Sequence, residues 1–166
     1  MEQWNLYDEE RKLLPQIHTK GKRLEAGCYH VVVGIWVINS NKELLITKRA
    51  MEKEKYPGLW ENTYGSLLVG ESSCEGAIRE LYEETGIRVS KEMLRYCCTT
   101  KSKTSFVDMY ILKKDFCIMD MKMQEGETTA AKWVSLSMFE NMFLTKEISP
   151  LAIERYYLVR DMLINI

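Results

Sequence analysis

The sequence predicts an α+β fold in which a mixed sheet is layered against a few, separated helices. Three observations carry this: β-branched runs recur before and after a central helix, that helix is signed at both ends, and two further helical patterns close the chain. In order, Trp4, Leu6 and Tyr7 precede the acidic run Asp8-Glu9-Glu10, and Leu13, Leu14 and Ile17 follow it. That pattern reads as a peripheral hairpin turning in the acidic run, so residues 1–27 form an N-terminal extension. Val31 to Ile38 is rich in β-branched residues, Asn39-Ser40-Asn41 supplies turn chemistry, and Glu43 to Lys48 resumes the extended pattern. The two read as one long hairpin at the centre of a sheet. Arg49 to Tyr64, with Pro57-Gly58, reads as a loop ordered by packing or ligand.

Ser73 to Thr85 is the best-marked helix. Ser72 and Glu75 have capping-box spacing, Ala77, Ile78 and Leu81 form an apolar stripe, and Gly86 stands where a left-handed C-terminal residue belongs. Leu94 to Thr100, Phe106 to Lys113 and Asp115 to Met121 read as strands, with a turn at Lys113-Lys114-Asp115, and Trp133-Val134 as a further short one. Ser137 to Phe143 and Ser149 to Asn165 read as helices.

The 166 residues suit a single domain, 1–166, with no linker or internal repeat. With 23 basic and 24 acidic residues the net charge is -1, too little for the long-range field that a nucleic-acid polymer or an anionic membrane would need. The longest uncharged stretch, between Ala26 and Lys42, is too short and polar to span a bilayer. Five cysteines without a C-x-x-C spacing suggest neither a disulfide framework nor a zinc knuckle. The charged start MEQWNLYDEERK is not a secretory signal, and a reducing, cytoplasmic setting is the expectation.

The central helix carries unusual charge. Glu80 and Glu84 are four residues apart, Glu80 and Glu83 three, and Arg79 lies one turn before Glu83. Like charges at these spacings repel, and they sit near the negative end of the helix dipole. Such a face is either simply solvated or compensated, and its hard oxygens suit Mg²⁺ or Mn²⁺ bridging to phosphate. A wider pattern decides between the two. Gly65, five residues, Glu71, seven residues, Arg79-Glu80-Leu81, one residue, Glu83-Glu84, one residue, Gly86-Ile87 reproduces G-x5-E-x7-R-E-U-x-E-E-x-G-U at every fixed position, and it resembles the Nudix box. The motif covers 23 of 166 residues. The remainder fits that family's α/β/α sandwich with a central mixed sheet across residues 28 to 165.

The resemblance implies a loop-helix-loop in which the Gly65 carbonyl and Glu80, Glu83 and Glu84 hold divalent metal. Glu71 would be a further ligand or orienting group, Arg79 would hold the acids by ion pairing, and Gly86 would close the helix. The implied activity is metal-assisted hydrolysis of a pyrophosphate bond in a nucleoside diphosphate linked to another moiety, a small-molecule phosphoanhydride. Glu125 and Glu127, in the loop before Trp133, are candidates for a separate general base, each also readable as a plain surface glutamate.

The Gly27 to Gly65 segment is similar to the isopentenyl-diphosphate-isomerase-like branch of the family. The isomerases need a cysteine just before the box glycine and a histidine just after it. Here those places hold Tyr64 and Ser66, and the box is complete, which favours hydrolysis over isomerisation or a non-catalytic ligand-binding module. Around the box, Arg49 is a candidate to grip a substrate phosphate, with Lys48 as its weaker neighbour, or it pairs with Glu52 or Glu54. Trp60 or Tyr56 either stacks on a base or packs in the core. His30 is either a metal ligand or hydrogen-bonded structure. Cys97 and Cys98 read as packing residues. The substrate's base or sugar is not legible, and the C-terminal aromatic helices are compatible with either a monomer core or a homodimer interface.

Overall fold

The computed structural model describes residues 1–166. The chain opens with β1 (Gln3–Tyr7) and β2 (Leu13–Thr19), an antiparallel hairpin that turns in the acidic run as expected. Asp8 builds the turn: its Oδ1 accepts from the Glu10 and Lys12 amides at 3.0 and 2.8 Å, and Arg11 adopts φ 64°.

β3 (His30–Ile38), β4 (Glu43–Arg49), β5 (Trp60–Glu61) and β6 (Thr63–Ser66) lead into α1 (Ser73–Thr85). β7 (Leu94–Lys101), β8 (Ser105–Lys113) and β9 (Thr128–Ser135) follow, and α2 (Leu136–Leu144) and α3 (Pro150–Ile164) close the chain. The main sheet runs β5-β4-β3-β8-β7, with β6 added on β3 and β9 on β4. β3 and β8 pair in parallel from His30↔Ser105 to Ile38↔Lys113 and the other pairs are antiparallel, so the sheet is mixed.

β3, HVVVGIWVI, is apolar on both faces because both faces are covered. Its Val31, Val33, Ile35 and Val37 meet Ala77 and Leu81 of α1 in one core. Val32, Trp36 and Ile38 meet Phe139, Tyr156 and Val159 of α2 and α3 in the other, where Trp36 packs edge-on against Phe139 at 5.3 Å and Tyr156 at 5.8 Å. The result is the α/β/α sandwich. The caps agree with the sequence: the Ser72/Glu75 box is complete, and Gly86, at φ 74°, donates its amide to the Tyr82 carbonyl at 2.7 Å. No helix is long and apolar enough to cross a membrane, and all five cysteines are free.

Four segments differ from the sequence expectation. The β3/β4 hairpin is not long: the strands pair only at Ile38↔Leu44, after which β3 takes β6 and β4 takes β9 as partners. A strand apolar on both faces carries no sequence mark of its neighbour. The segment from Arg49 to Tyr64 is not all loop, since β5 and the start of β6 lie in it; these short polar strands are fixed by pairing with β4 and β3. Asp115 to Met121 is not a strand. Asp115 accepts from the Ser40 amide and hydroxyl at 2.8 and 2.9 Å, and a 3₁₀ turn at Ile118–Asp120 follows, with Phe116, Ile118 and Met121 docked on the α1-side core. Finally, Trp133-Val134 belongs to the eight-residue β9, whose early residues are small and polar.

Candidate functional site

β6 delivers Gly65, the turn after it Glu71, and the α1 face above them Arg79, Glu80, Glu83 and Glu84. Arg79 is the centre of this group. Its Nε donates to Glu71 Oε1 at 2.6 Å and its Nη2 to Glu71 Oε2 at 3.0 Å. Nη1 donates to Glu80 Oε1 and Glu83 Oε2, both at 2.9 Å, and Nη2 also reaches the Ser66 carbonyl at 2.9 Å. One guanidinium thus ties three glutamates to the strand before the helix.

The carboxylates are not alike. Burial pushes Glu80 up to about 7 despite Arg79. Burial also raises Glu84 well above the usual carboxylate range, and the charges of Glu61 and Glu80 add to the effect. At Glu71 burial acts in the same sense, but the bonds from Arg79 and the Leu68 amide more than reverse it, so its pKa is lowered. The Glu80 carboxylate rests against Gly65: a Cβ there would lie 2.0 Å from Glu80 Cδ, so only glycine leaves it room.

Hard oxygens in this number, partly desolvated and short of cations, are a donor set that fits Mg²⁺ or Mn²⁺. As the side chains stand, no three acidic, His or Cys groups converge on one point. Arg79 lies between Glu71, Glu80 and Glu83, and Glu83, 41% exposed, is the freest of them to turn.

Gly65, Arg79, Glu80, Glu83 and Glu84 line a cleft of about 900 Å³, and Glu71 lies outside its lining. Glu127 lines it with its carboxylate paired to Lys53, while Glu125 is exposed and outside the lining. Arg49 lines it too, but its side chain is held inward: it is 8% exposed, ion-paired with Glu61 rather than with Glu52 or Glu54, and its Nε donates to the Lys55 carbonyl at 2.8 Å. Of the two readings of Arg49, phosphate grip or ion pair, the structure shows the ion pair, with Glu61 as its partner. Trp60 lies outside the cleft, against the α3-side core, with the ammonium groups of Lys132 and Lys48 at 4.4 and 5.7 Å from its ring; Tyr56 is also outside. His30 does line the cleft, stacked on Trp4 at 4.4 Å, with Nδ1 3.3 Å from Ser66 Oγ. Burial, then the charge of His18, lowers its pKa to about 4.

Two cleft residues escaped sequence reasoning. Trp4, from the N-terminal hairpin, had no signal beyond its apolar character. Arg155 had one: Leu151, Glu154, Arg155 and Leu158 follow the i, i+3, i+4, i+7 spacing of one helical face, and all four line the cleft. The neighbouring stripe of Ala152, Tyr156, Val159 and Leu163, which faces the core, masks it.

A mixed sheet between helical layers, with a loop-helix-loop presenting carboxylates to a cleft, is the arrangement that the sequence resemblance implied. The chain belongs to the Nudix hydrolase family: residues 29–156 match the family described as NUDIX domain. An uncharacterized Nudix hydrolase of Listeria monocytogenes is 32% identical over 151 residues, covering 90% of this chain and 89% of that one. Similarity to an isopentenyl-diphosphate delta-isomerase of Escherichia coli is partial, 36% over 62 residues, 37% of this chain and 34% of that one. Among solved structures, the Deinococcus radiodurans protein DR0079 has the same fold, with a TM-score of 0.78 at 18% identity over 96% of this chain and 98% of that one. A Francisella tularensis bifunctional NMN adenylyltransferase/ADP ribose pyrophosphatase, solved with AMP and a Mn ion, aligns at a TM-score of 0.64 and 21% identity, over 81% of this chain and 42% of that one.

Proposed function

We propose that the protein uses Mg²⁺ or Mn²⁺ to hydrolyse the pyrophosphate link of a nucleoside diphosphate joined to another moiety. The observation that carries this is the fit of Glu80 into the space above Gly65 within an otherwise cation-poor group of carboxylates. The Mn ion of the Francisella pyrophosphatase supports the choice of cation. Glu80, Glu83, Glu84 and the Gly65 carbonyl hold the metal, and Glu71 is a further ligand or orients the others. When bound, divalent cation neutralises the diphosphate and makes bound water more acidic.

The protein's own groups do the rest. Arg79 keeps Glu71, Glu80 and Glu83 on one side of the cleft. Glu127, held by Lys53 at the cleft wall, takes the proton of the attacking water. The water oxygen bonds to phosphorus while the bridging phosphorus–oxygen bond breaks and its electron pair leaves with that oxygen. Tyr64 and Ser66, at the isomerase cysteine and histidine places, offer no thiol and no imidazole for double-bond migration.

The test is turnover, with released phosphate quantified, across nucleoside di- and triphosphates, nucleotide sugars and dinucleoside polyphosphates. The expected result is activity with Mg²⁺ or Mn²⁺ and none with EDTA, and a kcat about 10²-fold or more lower for Glu127→Gln. Absence of turnover across the whole panel with either metal would defeat the reading.

A further inference from the structure

Three buried or half-buried arginines face the cleft, and two of them are committed. Arg79 is tied to Glu71, Glu80 and Glu83, and Arg49 to Glu61. The third, Arg155, is 6% exposed and makes no ion pair, and its Nη1 is buried without a hydrogen-bond partner. The guanidinium carbon lies over the ring of Tyr64, 3.8 Å from its centre, one residue before the box glycine. Its neighbours one turn away along α3, Leu151 and Leu158, are apolar, and Glu154 on the same face makes no ion pair with it. Glu61, the carboxylate whose charge acts on it most, is already held by Arg49 and by Ser149 Oγ at 3.3 Å.

A guanidinium has five donors in a fixed fork and cannot shed its charge. Leaving one of its nitrogens buried and unpaired is costly, and the cost is recovered only when an anion arrives. Burial lowers the Arg155 pKa, and the contact with Tyr64 and the charges of Glu61 and Glu84 counter this only in part. The cation–π contact with the Tyr64 ring and the burial of the side chain hold the guanidinium in place, so the free nitrogen is preorganised for an acceptor.

We infer that Arg155 is a phosphate-binding residue: its unpaired Nη1 donates to a non-bridging oxygen of the substrate diphosphate, across a cleft whose other wall is the acidic α1 face. The assignment rests on the proposed function for its ligand class. It moves phosphate recognition from Arg49, where the sequence placed it, to a residue about a hundred positions downstream on the last helix. The carboxylates alone repel a diphosphate, and Arg155 gives the same cleft a buried positive point that no titration at neutral pH removes.

Inorganic pyrophosphate is the probe. Calorimetric titration of the full chain with sodium pyrophosphate in excess Mg²⁺ should give a Kd that rises about 10-fold or more in Arg155→Gln and less in Arg155→Lys, both at unchanged Mg²⁺ affinity. With any substrate that turns over, KM should rise more than kcat falls. If Arg155→Gln does not fold, Arg155→Lys carries the comparison. In the unmodified protein, the ¹⁵N resonance of the Arg155 guanidinium, assigned through its loss in Arg155→Lys, should shift on pyrophosphate addition. A folded Arg155→Gln with affinity within twofold of wild type, wild type that binds no pyrophosphate, or an Arg155 resonance that does not move each overturns the assignment. Turnover in the substrate panel with affinity insensitive to Arg155 would sink this inference and leave the hydrolase reading standing. Arg155-dependent pyrophosphate binding without turnover would do the reverse.

Discussion

At the scale of single residues, the site depends as much on an absent atom as on any carboxylate. Gly65 is invisible to an electrostatic account, yet its missing Cβ makes the space that the Glu80 carboxylate fills. In Gly65→Ala the added methyl would lie 2.0 Å from Glu80 Cδ and 2.0 and 2.2 Å from its oxygens, and the group that must yield is the end of a flexible side chain. The fold should therefore survive, with Tm within a few degrees of wild type, while Glu80 swings away and kcat falls about 10-fold or more. A variant that unfolds, or one that keeps full activity, would contradict this account. The residues of the motif were legible because their roles follow from fixed spacing along a strand, a turn and a helix. For Arg49 and Trp60 the sequence leaves two readings each, and the structure shows the ion pair for one and core packing for the other; their partners, Glu61 and Lys132, are set by strand pairing that local sequence does not record.

At the scale of elements, the N-terminal hairpin is joined to the rest of the fold by the backbone bonds of Tyr7 with Tyr29 and, deeper in the sheet, by an ion pair to a buried carboxylate. Arg11, at the end of its turn, reaches Asp108 of β8 with Nη1 at 2.7 Å and Nη2 at 2.5 Å, and also bonds Thr99 Oγ1 at 3.1 Å. Asp108 is 1% exposed and also accepts from Ser73 at the start of α1. It therefore joins hairpin, sheet and helix, and the hairpin's Trp4 and Lys20 reach the cleft. Burial would raise the Asp108 pKa, but the bonds from Arg11, Ser73 and Thr99 outweigh it and hold it below the usual range. A carboxylate whose folded pKa is depressed contributes stability that is complete above its unfolded value, about 3.9, and lost as pH falls through its folded value. Asp108→Asn should therefore cost about 2 kcal/mol at pH 7, from the charged hydrogen bonds it removes. Denaturant titrations should show the difference from wild type shrinking as pH is taken from 5 to below 3, and a difference independent of pH would refute the linkage. The hairpin and α1 were readable from local turn and cap chemistry. This tether was not, because Arg11 and Asp108 stand 97 positions apart and a lone Asp in an apolar strand does not name its partner.

At the scale of the whole molecule, a net charge of -1 hides a separation. Basic and acidic residues nearly cancel over the chain, while Glu71, Glu80 and Glu83 gather around Arg79 as their shared cation and Glu84, on the same helix, has no ion pair. The excess is met by holding protons, as the raised pKa values of Glu80 and Glu84 require, or by binding divalent metal. Metal that binds the folded chain and not the unfolded one stabilises it by mass action, about 2.7 kcal/mol at a hundredfold excess over Kd. For a chain of this size, 1 kcal/mol moves Tm by roughly 2–4 °C, so saturating Mg²⁺ or Mn²⁺ should raise Tm by about 5–10 °C over EDTA at matched ionic strength. Glu84→Gln separates this from a general salt effect. It replaces a carboxylate that is 8% exposed and already favours its proton, so Tm in EDTA should hold or rise, while the metal-induced increment collapses and turnover falls on the order of 10²-fold or more. Equal increments in wild type and Glu84→Gln would remove Glu84 from the metal site, and no increment in wild type would remove the site itself. Under the proposed function the same charge separation would assign the two walls of the cleft their work, since cations recruited to α1 would attract a diphosphate that the bare carboxylates repel.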